Sequence, residues 1–142
     1  MRLEIKQMNL LNVPQGYYLA HCICADFNMG AGVARVIDDA FNMEEKLAKF
    51  YPDDSDYLVG KALLVDNVFN LTTKLNRYEK TTYETLEKAL RDMKDDIQDL
   101  EIRKLAMPKI GCGMDRLVWE HVEELITTVF EDMDIEILVC EI

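Results

Sequence analysis

The chain has 142 residues, a formal net charge of −11, 49% hydrophobic and 30% charged residues. That length favours one domain, 1–142, with a core large enough to need no disulfide or metal staple. The acidic balance, with no long basic run, excludes a broad footprint on duplex nucleic acid, and no apolar run is long enough to span a bilayer.

A small anionic ligand stays open, because backbone N–H groups and helix N-termini hold phosphate locally. Met1-Arg2-Leu3-Glu4-Ile5-Lys6 carries no secretion-signal core, so a cytoplasmic setting is expected. Cys22, Cys24, Cys112 and Cys140 are then expected as free thiols. Cys22 and Cys24 share one side of a strand, but with His21 and Cys112 they match no usual zinc spacing, so no metal is expected.

In chain order, residues 2–8 read as a strand and 12–16 as a turn. The near-continuous apolar run 17–24 suits a strand buried on both faces. After the Gly-bearing loop 28–32, Val33, Val36, Ile37, Ala40 and Phe41 recur at helical spacing, and a short helix follows over 44–50. The acidic stretch 51–56 reads as a surface loop. Residues 62–65 and 68–71 read as strands around an Asp66-Asn67 turn.

Thr81 and Glu84 have capping-box spacing at the start of a helix whose stripe is Tyr83, Leu86, Leu90, Met93 and Ile97. Asp92, Asp95, Asp96 and Asp99 form its solvated face. A strand over 104–107 runs into the loop 111–115. A helix follows with Leu117, His121, Val122, Leu125, Ile126, Val129 and Phe130 on its apolar side, and a last strand covers 135–140. Trp119 reads as packing near the loop and His121 as a core-edge histidine. Alternating strands and helices predict an α/β domain, with helices on both sides of a largely parallel or mixed sheet.

Ligands in such sheets sit where loops leave the carboxyl ends of strands. Loops 28–32 and 111–115 both hold that position, and each places glycines before a helix. Facing each other, they would cradle a diphosphate. Neither matches the dinucleotide or Walker A spacing, and plain turn chemistry stays an equal reading at this point.

The segments Leu19-Ala20-His21-Cys22-Ile23, Met29-Gly30-Ala31-Gly32-Val33-Ala34 and Thr82-Tyr83-Glu84 resemble a macrodomain. So, most specifically, does Met107-Pro108-Lys109-Ile110-Gly111-Cys112-Gly113-Met114-Asp115-Arg116-Leu117-Val118-Trp119-Glu120. Within that family they resemble the terminal ADP-ribose protein glycohydrolase branch, over almost the whole chain. The resemblance implies a three-layer α/β/α sandwich with a mixed central sheet.

It also implies a pocket for ADP-ribose, contacted by Asn9, Leu10, His21, Cys24, Met29, Gly30, Ala31, Gly32, Val33, Ile110, Gly111, Cys112, Gly113 and Met114. The two glycine loops would hold the diphosphate and distal ribose. No cofactor and no membrane are implied. Four positions depart from the branch. Asn9 stands where an Asp usually accepts the adenine amino group, and Met8 replaces a frequent glycine. Cys24 stands at a small polar position near the distal ribose. Thr81 stands where a proline often precedes Thr-Tyr-Glu. His21 lies within a buried strand, where a histidine is more often structural.

Lys74 ends a strand, and by residue type alone it is a solvated lysine. Asp115 precedes a helix and by position alone is an N-cap. The resemblance makes Lys74 a nucleophile, active once deprotonated, and Asp115 an acid/base group. The implied enzyme is an ADP-ribosyl hydrolase acting on acidic-residue esters of protein, O-acyl-ADP-ribose or ADP-ribosylated DNA. A reader module that binds ADP-ribose without cleaving it, or an interaction domain, would not need both residues.

Overall fold

The fold is that of a computed structural model, which describes residues 1–52 and 56–141. The centre of the expected acidic loop, residues 53–55, lies outside them. The strands are β1 Arg2–Gln7, β2 Tyr18–Cys24, β3 Ala62–Val65, β4 Val68–Lys74, β5 Lys104–Met107 and β6 Glu136–Glu141. The helices are α1 Gly32–Phe41, α2 Met43–Phe50, α3 Tyr83–Leu100 and α4 Trp119–Phe130. Among the described residues no helix is long and apolar enough to cross a membrane.

The six strands form one sheet in the order β1-β6-β5-β2-β4-β3. Only β3 runs antiparallel, joined to β4 by the expected turn, where Asp66 takes φ 55°. The other five strands are parallel throughout. Their carboxyl ends therefore share one edge, where β4 ends at Lys74 and the loops bearing Asn9, Gly30 and Gly111 leave the sheet.

Period-two alternation distributes the central strands between two cores. Leu19, Ile23, Val68 and Leu138 pack toward Ile37, Met43 and Leu47 of α1 and α2. Ala20, Phe69, Leu71, Leu105 and Val139 pack toward Leu86, Leu90, Met93, Val122 and Phe130 of α3 and α4. Helices on both faces make the three-layer sandwich. Each fully buried large side chain contributes about 1.5–3 kcal/mol through burial. Edge strand β1 exposes Arg2, Glu4 and Lys6, charges that discourage pairing with another chain.

Several expectations are corrected. The α3 cap is Thr82, whose hydroxyl accepts from Thr85 N in a capping box with Thr85; Glu84 takes no part. Thr81 is instead buried, with 2% of its surface exposed. Helix α4 begins at Trp119 after Val118, so Asp115 caps nothing. Asp92 is half-buried and accepts from Ala62 N at 2.7 Å, tying α3 to β3. The aspartate face is thus only partly solvated, and burial, then the neighbouring Asp92, Asp99 and Asp95, pushes Asp96 upward. His121 is exposed, with its ring 5.7 Å from that of Tyr83.

Candidate active site

The α1 stripe divides at the sheet edge. Ile37 is fully buried, whereas Val33 and Val36 stay exposed. The two valines face a cleft of about 320 Å³, lined also by Asn9, Leu10, Pro108, Lys109, Cys112, Gly113, Cys140 and Glu141. Mostly apolar walls with a few polar groups suit a small-molecule site. Sequence reading missed Val36, Pro108, Lys109, Cys140 and Glu141. Valines at helical spacing look the same whether they face a core or a cleft.

The loop before α1 is built from Asx turns. Asn28 N donates to Asp26 Oδ1 at 2.9 Å and Gly30 N to Asn28 Oδ1 at 3.1 Å. Gly32 takes φ 62°, and Ala31 at the N-cap supplies no side-chain bond, leaving the first amides of α1 uncapped. The second loop folds on itself: Cys112 N donates to Lys109 O, Arg116 N to Gly113 O and Leu117 N to Gly111 O. Gly111 sits at φ 73°, and a Cβ there would lie 2.8 Å from Leu117 Cδ1. The side chains of Met29 and Ile110, each 2% exposed, are core anchors for the two loops. Met114 is 74% exposed.

Asn9 caps a short 3-10 turn, with its Oδ1 accepting from Leu11 N at 2.9 Å. Asn9 also lines the cleft, where its amide nitrogen can only donate. His21 is buried and lies on the α1/α2 side of β2. Asn70 Nδ2 donates to carbonyls of Leu63 and Val68, so Asn70 Oδ1 must accept from His21 Nε2, at 2.6 Å. Burial pulls His21 down to about 4, against the upward pull of its hydrogen bond to Asn70. Its ring is part of the interior and not of the cleft wall.

The four cysteines are free thiols. Burial, then the charge of Asp115, pushes Cys22 up to about 12. Burial raises Cys24 as well, against the opposing charge of Lys74.

The two expected catalytic residues meet although they are far apart in sequence. Lys74 Nζ lies 2.8 Å from Asp115 Oδ1, with side-chain exposures of 14% and 11%. A β-bulge makes this possible. Ile23 pairs with Thr72 but Cys24 pairs with Lys74, so Thr73 is an extra residue in β4. The bulge turns Lys74 toward the side where Thr73 already points. Thr81 completes the group: its N–H donates to Asp115 Oδ1 at 3.1 Å and its hydroxyl to Oδ2 at 2.7 Å. Burial opposes the charge on Asp115. The bonds from Lys74 and Thr81, with the lysine's charge, outweigh it and hold the carboxyl below the ordinary carboxylate range.

A half-buried lysine–aspartate pair at the carboxyl edge of a parallel sheet, connected through the loop 111–115 to a largely apolar cleft that Gly113 lines, defines a macrodomain-type site. The chain belongs to the macrodomain family, whose Macro domain profile matches residues 21–126. The human protein named ADP-ribose glycohydrolase OARD1 is 37% identical over 140 residues, spanning 97% of this chain and 90% of its own. A Thermus aquaticus protein named DNA ADP-ribosyl glycohydrolase is 27% identical over 122 residues, spanning 80% of this chain and 34% of its own. The solved macrodomain of Thermus aquaticus DarG has a TM-score of 0.82 at 26% identity, covering 99% of this chain and 98% of that one. These relatives agree with the branch expected from residues 107–120, the terminal ADP-ribose protein glycohydrolases.

Proposed function

We propose that this chain is an ADP-ribosyl hydrolase in which Lys74 is the nucleophile and Asp115 the acid/base group. The observation that carries the reading is the 2.8 Å contact between Lys74 Nζ and Asp115 Oδ1. Structural lysines seldom sit half-buried on a single aspartate beside a cleft, and a module that only bound ADP-ribose would need no such pair. The adenosine part takes the apolar cleft between Val33, Val36 and Leu10. The diphosphate lies against the uncapped amides of α1 and the loop 111–115. The terminal ribose then reaches Lys74 and Asp115.

Entry of the ribose between the two residues separates them. Asp115 takes a proton from Lys74 as they part, and the free amine attacks the anomeric carbon. The bond from that carbon to the leaving oxygen or nitrogen breaks, and its electron pair goes to the leaving group. A carboxylate leaves without a proton, and Asp115 releases the one it took from Lys74 to solvent; a poorer leaving group takes that proton from Asp115. Water, deprotonated by Asp115, then displaces Lys74 from the adduct and frees ADP-ribose. The candidate substrates are acidic-residue esters of protein, O-acyl-ADP-ribose and ADP-ribosylated DNA. We place this reaction in the cytoplasm, a reducing setting in which the four cysteines stay thiols.

The test offers purified protein ester-linked ADP-ribosyl protein, O-acetyl-ADP-ribose and ADP-ribosylated DNA, and measures free ADP-ribose. Lys74→Ala keeps ADP-ribose binding and loses turnover; Asp115→Ala loses turnover as well. Turnover at the wild-type rate in Lys74→Ala would refute the nucleophile assignment.

A further inference from the structure

Thr81 precedes the α3 cap and does not cap the helix, yet it is one of the few buried polar residues. Its hydroxyl is 2.7 Å from Asp115 Oδ2 and 2.6 Å from Thr73 Oγ1. Counting protons fixes the direction of this chain. An ionised carboxylate has none to give, so the single Thr81 hydroxyl proton goes to Asp115. The Thr81 oxygen must then accept, and Thr73 is its donor. The order is Thr73 to Thr81 to Asp115.

Asp115 thus receives three hydrogen bonds. Oδ1 takes Lys74 Nζ and Thr81 N; Oδ2 takes the Thr81 hydroxyl. A carboxylate has about four acceptor sites, which leaves one on Oδ2. Both Thr81 bonds come from a residue that itself does not have to move when Lys74 turns to substrate. The bulge turns Lys74 to the side on which the Thr73 hydroxyl already backs Thr81.

We propose that Thr81 is a positioning residue for Asp115. Backed by Thr73, it holds the carboxyl group in place with two donors as Lys74 leaves it, and aims the remaining Oδ2 lone pair at the reacting ribose. The proposal rests on the assignment of Asp115 as the acid/base group. Thr81 touches neither substrate nor reacting atoms. Its effect runs through the orientation and ionisation of Asp115. A proline at this place could supply neither bond, having no N–H and no hydroxyl.

The test compares Thr81→Val, which keeps shape and N–H but removes the hydroxyl, with Thr81→Ser, which restores it, and with Thr73→Val. Turnover of O-acetyl-ADP-ribose is followed against pH. Thr81→Val is expected to lower kcat about tenfold or more, the loss of one hydrogen bond to a charged group. KM should stay within about threefold, since the bond does not contact the bound ligand. The acid limb of the kcat profile should move to higher pH, because a carboxylate with fewer donors protonates sooner. Thr81→Ser should recover both, and Thr73→Val should shift the limb the same way by less.

A second measurement does not depend on turnover. The Asp115 carboxyl is titrated by ¹³C NMR in the wild type, Thr81→Val and Thr73→Val, the last of which leaves α3 and its cap untouched. The expected midpoint is lowest in the wild type. A wild-type kcat profile in Thr81→Val, or an Asp115 midpoint that neither substitution moves, overturns the positioning role. An inactive wild type whose Asp115 midpoint still rises in Thr81→Val refutes the hydrolase reading and leaves the hold of Thr81 on Asp115 intact.

Discussion

Replacing Gly111 by alanine should destabilise the protein in a way that the neighbouring Gly113→Ala does not. Gly111 has φ 73°, and a Cβ there would meet Leu117 Cδ1 at 2.8 Å and Cγ at 3.4 Å. Placing an L-residue in the left-handed region costs roughly 1–2 kcal/mol. Pushing Leu117 out of its place against the α3/α4 core adds about 1–3 kcal/mol. The stiffer unfolded chain of an alanine variant offsets about 0.4–1 kcal/mol. The net loss is centred on about 3 kcal/mol. At about 4 °C per kcal/mol for a chain of this size, the thermal midpoint falls by about 12 °C. Gly113 has no positive φ and its added Cβ would meet nothing within 4 Å. Its alanine variant should stay within about 1 kcal/mol of wild type. Thermal unfolding followed by circular dichroism reads both. A Gly111→Ala midpoint within about 2 °C of wild type, or equal losses in both variants, would refute the reasoning.

Acid should weaken the fold through His21. Burial pulls its imidazole from the ordinary 6.5 down to about 4, so the unfolded chain binds a proton that the folded chain refuses. Stability is therefore lost as pH falls from about 6.5 toward about 4, by roughly 2 kcal/mol at pH 5. Urea midpoints at pH 7 and 5 should differ less in His21→Gln than in wild type; equal slopes would count against it. Asp115, held low, contributes stability that is lost only below the ordinary carboxylate range, outside that window. Thr82→Ala should cost about 1 kcal/mol through loss of the α3 cap, and Glu84→Ala less than about 0.5 kcal/mol. Urea unfolding that ranks the two the other way would disprove the cap. Asn9→Asp keeps an oxygen for Leu11 N and replaces the amide donor by an acceptor. It should tighten ADP-ribose binding about tenfold by calorimetry; unchanged or weaker binding would show that Asn9 does not face the base.

Much of the fold was legible because it depends on local periodicity. The run 17–24 is apolar on both sides since β2 lies between β5 and β4 with helices above and below. The α3 stripe is buried at every interior position expected of it, because a helix on a sheet needs one continuous apolar face. Helix ends were less legible. Thr81 and Thr82 are chemically alike, and only the path of the loop decided that one caps the helix while the other turns to Asp115.

The sequence by itself determined which residues are capable of the chemistry: a lysine at a strand end, an aspartate after two glycines, and loops poised at the carboxyl edge of a parallel sheet. It could not determine their contacts. Lys74 and Asp115 are 2.8 Å apart because β2, β4 and β5 are parallel neighbours and a single extra residue in β4 turns the lysine around. Side-chain direction in a strand has a period of two, so one bulge reverses what alternation predicts. Asn9 was legible as a departure from the family. That its oxygen accepts from Leu11 N was decided only by the backbone turn that follows it.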